Sequence, residues 1–152
     1  MSVATTALPV GHVGINVTDL DRSVAFYEAL FGHEVMASSP DPDQRWALLG
    51  SGGALVITLW EQARGAYDGD HAGLHHLSFQ VADGDAVAAA ADRLRHLGVE
   101  PLHGGTVPVV KGSDAVGLFF HDPDGTRLEV SCAAGTAEAE APFGAAPTCG
   151  FF

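Results

Sequence analysis

The sequence predicts an α+β fold built from two copies of one strand–helix–three-strand unit, and three observations predict it. First, His12-Val13-Gly14-Ile15-Asn16-Val17 and His76-Leu77-Ser78-Phe79-Gln80-Val81 share one alternation of polar and apolar residues, 64 positions apart. Second, each run is followed by an Asp-containing stretch, Thr18-Asp19-Leu20-Asp21 or Ala82-Asp83-Gly84-Asp85, and then by a segment of helical periodicity. Third, each helical segment gives way to short apolar runs separated by Gly-, Pro- and Asp-rich turns.

The elements follow in order. Residues 1–9 form an N-terminal extension, and the first unit spans 10–61. Val10 to Val17 alternates with period two, the signature of a half-buried strand: Val13, Ile15 and Val17 face one way, His12, Gly14 and Asn16 the other. Asp19 or Asp21 can cap a helix from about Arg22 to Phe31, where Val24, Phe26, Tyr27, Leu30 and Phe31 recur at helical spacing and Gly32 provides a stop. Glu34–Ser38 reads as a short strand, the Pro40–Asp43 stretch as a turn, and Trp46–Leu49 with Ala54–Trp60 as a hairpin around Ser51-Gly52-Gly53. A polar, Gly-rich linker, 62–73, separates this unit from the second, 74–133. There, Leu77, Phe79 and Val81 oppose His76, Ser78 and Gln80, and an Ala-rich helix runs from about Ala86 to Leu97 before Gly98. Leu102–Val110 reads as loop and short strand, and Ala115–Phe120 and Thr126–Cys132 as strands around the Asp122-Pro123-Asp124-Gly125 turn. The remainder, 134–152, is an Ala-, Gly- and Pro-rich tail that reads as flexible, with Phe151-Phe152 either docked or frayed.

Composition narrows the function classes. The chain has 152 residues, long enough for one domain with a real core, and its formal net charge of −12 disfavours nucleic acid and anionic membrane surfaces as partners. Residues 1–9 carry no basic cluster before an apolar run, and no stretch reaches the roughly 18 apolar residues of a membrane helix. The two cysteines, Cys132 and Cys149, form no CxxC spacing, and a bridge between them is allowed but not required. A cytoplasmic protein acting on a small molecule is the expectation.

The alternation carries the functional argument. The apolar residues of the first strand in each unit would pack on the helices, so His12, Asn16, His76, Ser78 and Gln80 face the other side. In the last strand Leu128 and Val130 belong to the packing set, and Arg127, Glu129 and Ser131 oppose them. If the sheet curls, that side becomes a concave cup lined by donors and acceptors. A single strand histidine is usually a surface residue, and a glutamate after a turn usually a solvated charge. Two histidines at equivalent positions of a repeat, with a carboxylate on the same face, instead suggest an open site for a divalent ion. His12, His76 and Glu129 are the candidate ligands. His121 could reach the cup as a general base. Asn16, Ser78 and Gln80 could orient substrate or the imidazoles. Trp46 and Phe120 are candidate pocket walls, as are Leu55, Ile57 and Leu59. His75 has the opposite parity and is expected to point to the helix side.

The segments His12–Leu20, Ser23–Tyr27, His76–Val81 and Phe119–Glu129 resemble the vicinal oxygen chelate superfamily, which includes glyoxalases, bleomycin-resistance proteins, fosfomycin-resistance transferases and extradiol dioxygenases. The resemblance covers about residues 9–133. It implies a glyoxalase-like fold of two βαβββ modules forming a curved mixed sheet cup, with metal ligands on the first and last strands. Carried over, it makes His12, His76 and Glu129 ligands of a divalent Fe, Mn, Zn or Ni ion, and it implies a homodimer. A fourth ligand on the last strand of module one is absent: aligning Gly53 with Gly125 places Ile57 opposite Glu129, and Glu61 lies on the same parity but too far along. The extradiol signature expects a tyrosine where Phe119 stands, and fosfomycin transferases a threonine where Gly14 stands. The resemblance therefore implies a metal-dependent enzyme chelating vicinal oxygens of a small organic substrate, dioxygenase-like or lyase/isomerase-like. The competing readings are an antibiotic-sequestering protein of the bleomycin-resistance kind and a regulatory dimer with a vestigial site.

Overall fold

The computed structural model describes residues 6–150 and shows two four-stranded mixed sheets and two helices. The first unit holds β1 (Val13–Asn16), α1 (Leu20–Phe31), β2 (Glu34–Ser38), β3 (Trp46–Ser51) and β4 (Ala54–Trp60). The second holds β5 (Leu77–Gln80), α2 (Gly84–His96), β6 (Val107–Pro108), β7 (Val116–His121) and β8 (Arg127–Cys132). Their strand orders, β1-β4-β3-β2 and β5-β8-β7-β6, are the same, and in each the first strand runs parallel to the last while the other pairs are antiparallel. The predicted repeat is thus a repeat of topology.

Each helix starts on an aspartate. Asp19 accepts from the Arg22 N–H at 3.0 Å and Asp83 from the Ala86 N–H at 3.0 Å, satisfying amides that the first turn leaves open. Both helices begin about two residues earlier than the apolar periodicity suggests, because capping geometry, not hydrophobicity, sets the start. Gly32 ends α1 at φ 68°, a backbone state that costs a side-chain-bearing residue strain. The apolar faces converge on one core: Val17, Tyr27, Leu30, Leu49, Ile57 and Leu59 from the first unit join Val87, Leu94, Leu118, Phe120, Leu128 and Val130 from the second. Phe31 bridges them, its ring 4.2 Å from that of Phe79.

The Asp122–Gly125 turn does more than reverse the chain. Asp122 is buried, accepts from the Asp124 and Thr126 N–H groups at 2.9 and 2.8 Å, and receives the Tyr27 hydroxyl of α1 at 3.0 Å. Asp124 accepts from the Thr18 N–H at 2.9 Å, from the Thr18 hydroxyl, and from Arg22 at 2.7 Å. A turn of the second unit therefore clasps the start of α1 in the first.

The segment after β8 is not the loose tail its composition suggests. Glu138 and Ala139 donate their N–H groups to the Thr106 carbonyl at 2.8 and 3.1 Å, and the Glu138 carboxylate accepts from the Thr106 N–H at 3.0 Å. Further along, the fully buried Thr148 donates its N–H to the Val109 carbonyl at 2.8 Å and its hydroxyl to the Pro108 carbonyl at 2.7 Å. The two residues Phe151-Phe152 lie outside the described residues.

Candidate metal centre

His76 and Glu129 come together at the mouth of the second sheet. Glu129 is in the middle of β8, registered against Ser78 of β5 on one side and Phe119 of β7 on the other. His76 directly precedes β5. Its Nε2 lies 3.5 Å from Glu129 Oε2. Two ligand atoms each roughly 2.1 Å from one tetrahedral ion sit about 3.4 Å apart, so the pair already has ligand spacing. Burial lowers the pKa of His76, the Glu129 charge opposing and His75 and Arg127 reinforcing that shift. A neutral imidazole beside a carboxylate is the protonation state a metal ligand needs.

A third donor arrives from a place the sequence did not flag. The Cys149 thiol lies in a 3₁₀ turn (Thr148–Gly150), and its sulfur, an imidazole nitrogen of His76 and a carboxylate oxygen of Glu129 are all within 4.8 Å of one another. Burial raises the thiol pKa, and the neighbouring Glu129 charge raises it further. Cys132 and Cys149 are both free thiols. Nothing in the spacing of Cys149 could have announced it, since its placement depends on how residues 133–147 fold back over β6.

His75 is placed differently from its expected orientation. Its Nδ1 is 2.9 Å from His76 Nδ1, and the two rings meet edge to face. Strand parity does not govern this pair because both residues precede β5, where the extended alternation begins. The contact engages His76 through Nδ1 and leaves Nε2 directed at Glu129, as a supporting residue for a ligand does.

His12 is exposed and lies outside this group within one chain. It lines a groove with Leu55, Ile57, Ser78 and Phe79. Asn16 is also exposed and lines a cleft of about 280 Å³ with Gly14, Tyr67, Leu74, Asp124 and Thr126. Ser78 and Gln80 are exposed on β5, and Ser78 shares the face of Glu129 through the parallel register. Trp46 begins β3 and faces Trp60, ring centroids 6.2 Å apart, on the first sheet.

Two placements correct the sequence reading, those of Phe120 and Ile57. Phe120 is no pocket wall: it is fully buried in the core, its ring 6.5 Å from that of Phe31, because Phe119, not Phe120, registers with Glu129. His121, two residues beyond Phe119, shares the Glu129 face opposite Arg127, and burial together with the Arg127 charge lowers its pKa. The position in module one equivalent to Glu129 is Thr58, not Ile57. β1 pairs Gly14 with Thr58 as β5 pairs Ser78 with Glu129, while Ile57 is fully buried. The tight β3–β4 turn and the register shift at Leu49/Gly50 displace the glycine-anchored alignment by one residue, and one residue reverses the face. Thr58 accepts from Trp60 Nε1 at 2.9 Å. Glu61 is engaged elsewhere, accepting from the Leu20 N–H at 2.7 Å and pairing with Arg45 at 3.4 Å.

Comparison with known proteins agrees with this architecture. Residues 10–130 match the Glyoxalase/Bleomycin resistance protein/Dioxygenase superfamily. The chain is 33% identical over 118 residues to a trivalent organoarsenical cleaving enzyme of Bacillus sp. strain MD1, covering 78% of this chain and 69% of that protein. It is 30% identical over 129 residues to the lactoylglutathione lyase of Salmonella typhimurium, covering 78% and 88%. Among solved structures, a glyoxylase/bleomycin resistance protein/dioxygenase domain from Frankia sp. EAN1pec superposes with a TM-score of 0.71 at 23% identity, covering 84% of this chain and 93% of that one.

Proposed function

The chain belongs to the Glyoxalase/Bleomycin resistance protein/Dioxygenase superfamily, and we propose that it is a metal-dependent enzyme acting on a small organic substrate with two adjacent oxygens. The observation that carries this reading is the 3.5 Å approach of His76 Nε2 to Oε2 of the buried Glu129. The donor chemistry fits a divalent ion such as Fe, Mn, Zn or Ni, since imidazole and carboxylate suit all four. Bound there, the ion would supply Lewis acidity to the paired substrate oxygens.

The chain's own residues define the rest. His76 and Glu129 would hold the ion. His75 orients the His76 ring. His121, held neutral on the Glu129 face, takes or returns a proton at the carbon beside the substrate carbonyl. Ser78 and Gln80 offer hydrogen bonds to substrate oxygens from the neighbouring strand. This division of labour favours a lyase or isomerase over ring cleavage, because it provides a proton carrier.

His12 enters from a second copy. It is exposed in a groove beside Ser78 and Phe79 of its own chain but lies outside the His76–Glu129 group there, and β1 and β5 stand at the edges of their sheets. A homodimer that brings β1 of one chain to β5 of the other would complete the ligand set of two imidazoles and a carboxylate. The free thiols are in keeping with a reducing cytoplasm. No described helix is long and apolar enough to cross a membrane.

The test is metal content. Untagged protein is expected to retain about one divalent ion per chain, and His76→Ala and Glu129→Ala to lose it while keeping the wild-type circular dichroism spectrum. Protein that binds no ion at any loading, yet holds a cationic glycopeptide tightly, would support sequestration instead; the net charge of −12 makes such a ligand the natural probe.

A further inference from the structure

We propose that Cys149 is a metal ligand of this chain, delivered to the His76–Glu129 pair by the folded-back C-terminal segment. The inference rests on the metal-dependent reading above but assigns a donor which that reading does not contain. Cys149 lies beyond residues 10–130, the stretch matched by the superfamily, so neither the repeat nor the family carries it.

Three observations converge. The sulfur stands within 4.8 Å of a ligand atom of His76 and of Glu129, close enough for one ion to engage all three after small side-chain adjustments. The segment that brings it is fixed next to the thiol: Thr148 is fully buried and hydrogen-bonded to Val109 and Pro108 on both its N–H and its hydroxyl. Upstream, Glu138 is tied to Thr106 in both directions and pairs with Arg95 of α2 at 3.6 Å. Finally, the donor count calls for an anion. Thr58 stands where a second carboxylate would balance Glu129, and a thiolate restores two anionic ligands to a divalent ion.

Coordination is written simply: the thiol proton passes to solvent as the sulfur–metal bond forms, and nothing is oxidised or reduced. The chemical consequence is selectivity. A thiolate among imidazole and carboxylate favours zinc, cobalt and ferrous iron over magnesium, calcium and manganese.

The experiment uses the full chain loaded with cobalt(II). Wild type is expected to show a near-ultraviolet thiolate-to-cobalt charge-transfer band. Cys149→Ser is expected to lose the band while still binding cobalt, and to weaken zinc binding at least about tenfold, the scale of removing one supporting contact from a metal site. Zinc is also expected to slow iodoacetamide alkylation of Cys149, located by peptide mapping. Stoichiometric cobalt without the band in wild type overturns the assignment and leaves the functional reading standing. So does a band that survives in the double variant His76→Ala/Glu129→Ala, which would put the thiolate in another site. A chain that takes up no metal, with or without Cys149, overturns the functional reading first and this assignment with it.

Discussion

His33 is buried against the rings of Phe31 and Phe79, at 5.4 and 5.9 Å, and its Nδ1 has no hydrogen-bond partner among the described residues. Burial lowers its pKa, so the folded state favours the neutral ring. The sign follows from linkage: a group with a lowered folded pKa contributes stability that is present above its ordinary value of about 6.5 and is lost as pH falls through the lowered folded value. His76, His103 and His121 are shifted the same way. We therefore expect urea midpoints to fall as pH drops from neutral into the acid range. His33→Phe should flatten part of that slope and leave the midpoint at neutral pH unchanged or raised, since it removes an unpaired nitrogen and keeps an aromatic ring. A slope identical to wild type would remove His33 from the account. Tyr27 makes a separate case. Its hydroxyl is the buried donor to Asp122, and Tyr27→Phe should cost about 1–2 kcal/mol in urea denaturation by leaving that carboxylate oxygen underprovided.

At the scale of elements, the Asp122–Gly125 turn ties the two units. Asp124→Ala removes the acceptor for the Thr18 amide, the Thr18 hydroxyl and Arg22 at once. The Thr18 amide then loses its partner at the entry to α1. A loss of roughly 2–4 kcal/mol is expected, more than a surface ion pair would give, because Asp124 is buried although Arg22 is half exposed. Thermal unfolding of the variant checks it, and a change within 0.5 kcal/mol or so, the usual size for a surface substitution, would mean the clasp is incidental. The same turn shows what the sequence could convey. The Asp-Pro-Asp-Gly run announced a reversal, because that chemistry is local. The partners that its aspartates find in the first unit, Thr18, Arg22 and Tyr27, were not legible, because they lie roughly a hundred positions away. Period two exposed the polar side of β8, and so Glu129, while the repeat of the two units pointed to His76. It misplaced Ile57, where a hairpin's length set the register and every side chain downstream changed sides, and Phe120 sits on the core side of β7 by plain alternation with Phe119. Cys149 was invisible because its place depends on bonds from Thr106, Pro108 and Val109 to a segment with no periodicity at all.

For the whole molecule, the arrangement of ligands makes oligomerisation a chemical question. His76 and Glu129 approach one another in one chain, while His12, the equivalent of His76 by repeat, is exposed in a groove beside Ser78 and Phe79 and lies outside that group. An isologous two-fold dimer would make the exchange reciprocal, each chain lending its His12 to the other's His76–Glu129 pair. Subunit mixing then separates a shared centre from a self-contained one. His12→Ala homodimers lack the donated imidazole in both sites, and Glu129→Ala homodimers lack the carboxylate in both. A mixed dimer concentrates both defects in one site and leaves the other whole. Random exchange of equal amounts makes half the dimers mixed, so about a quarter of all sites should regain tight metal binding. Binding is to be measured by competition against a chelator strong enough to strip the singly defective sites. If His12 acted within its own chain, or not at all, mixing would recover no more than the sum of the parent variants. Recovery of the charge-transfer band in the same cobalt-loaded mixture, and its loss when the Glu129→Ala parent is replaced by a His12→Ala/Glu129→Ala chain, would trace the restored site to one imidazole crossing the interface.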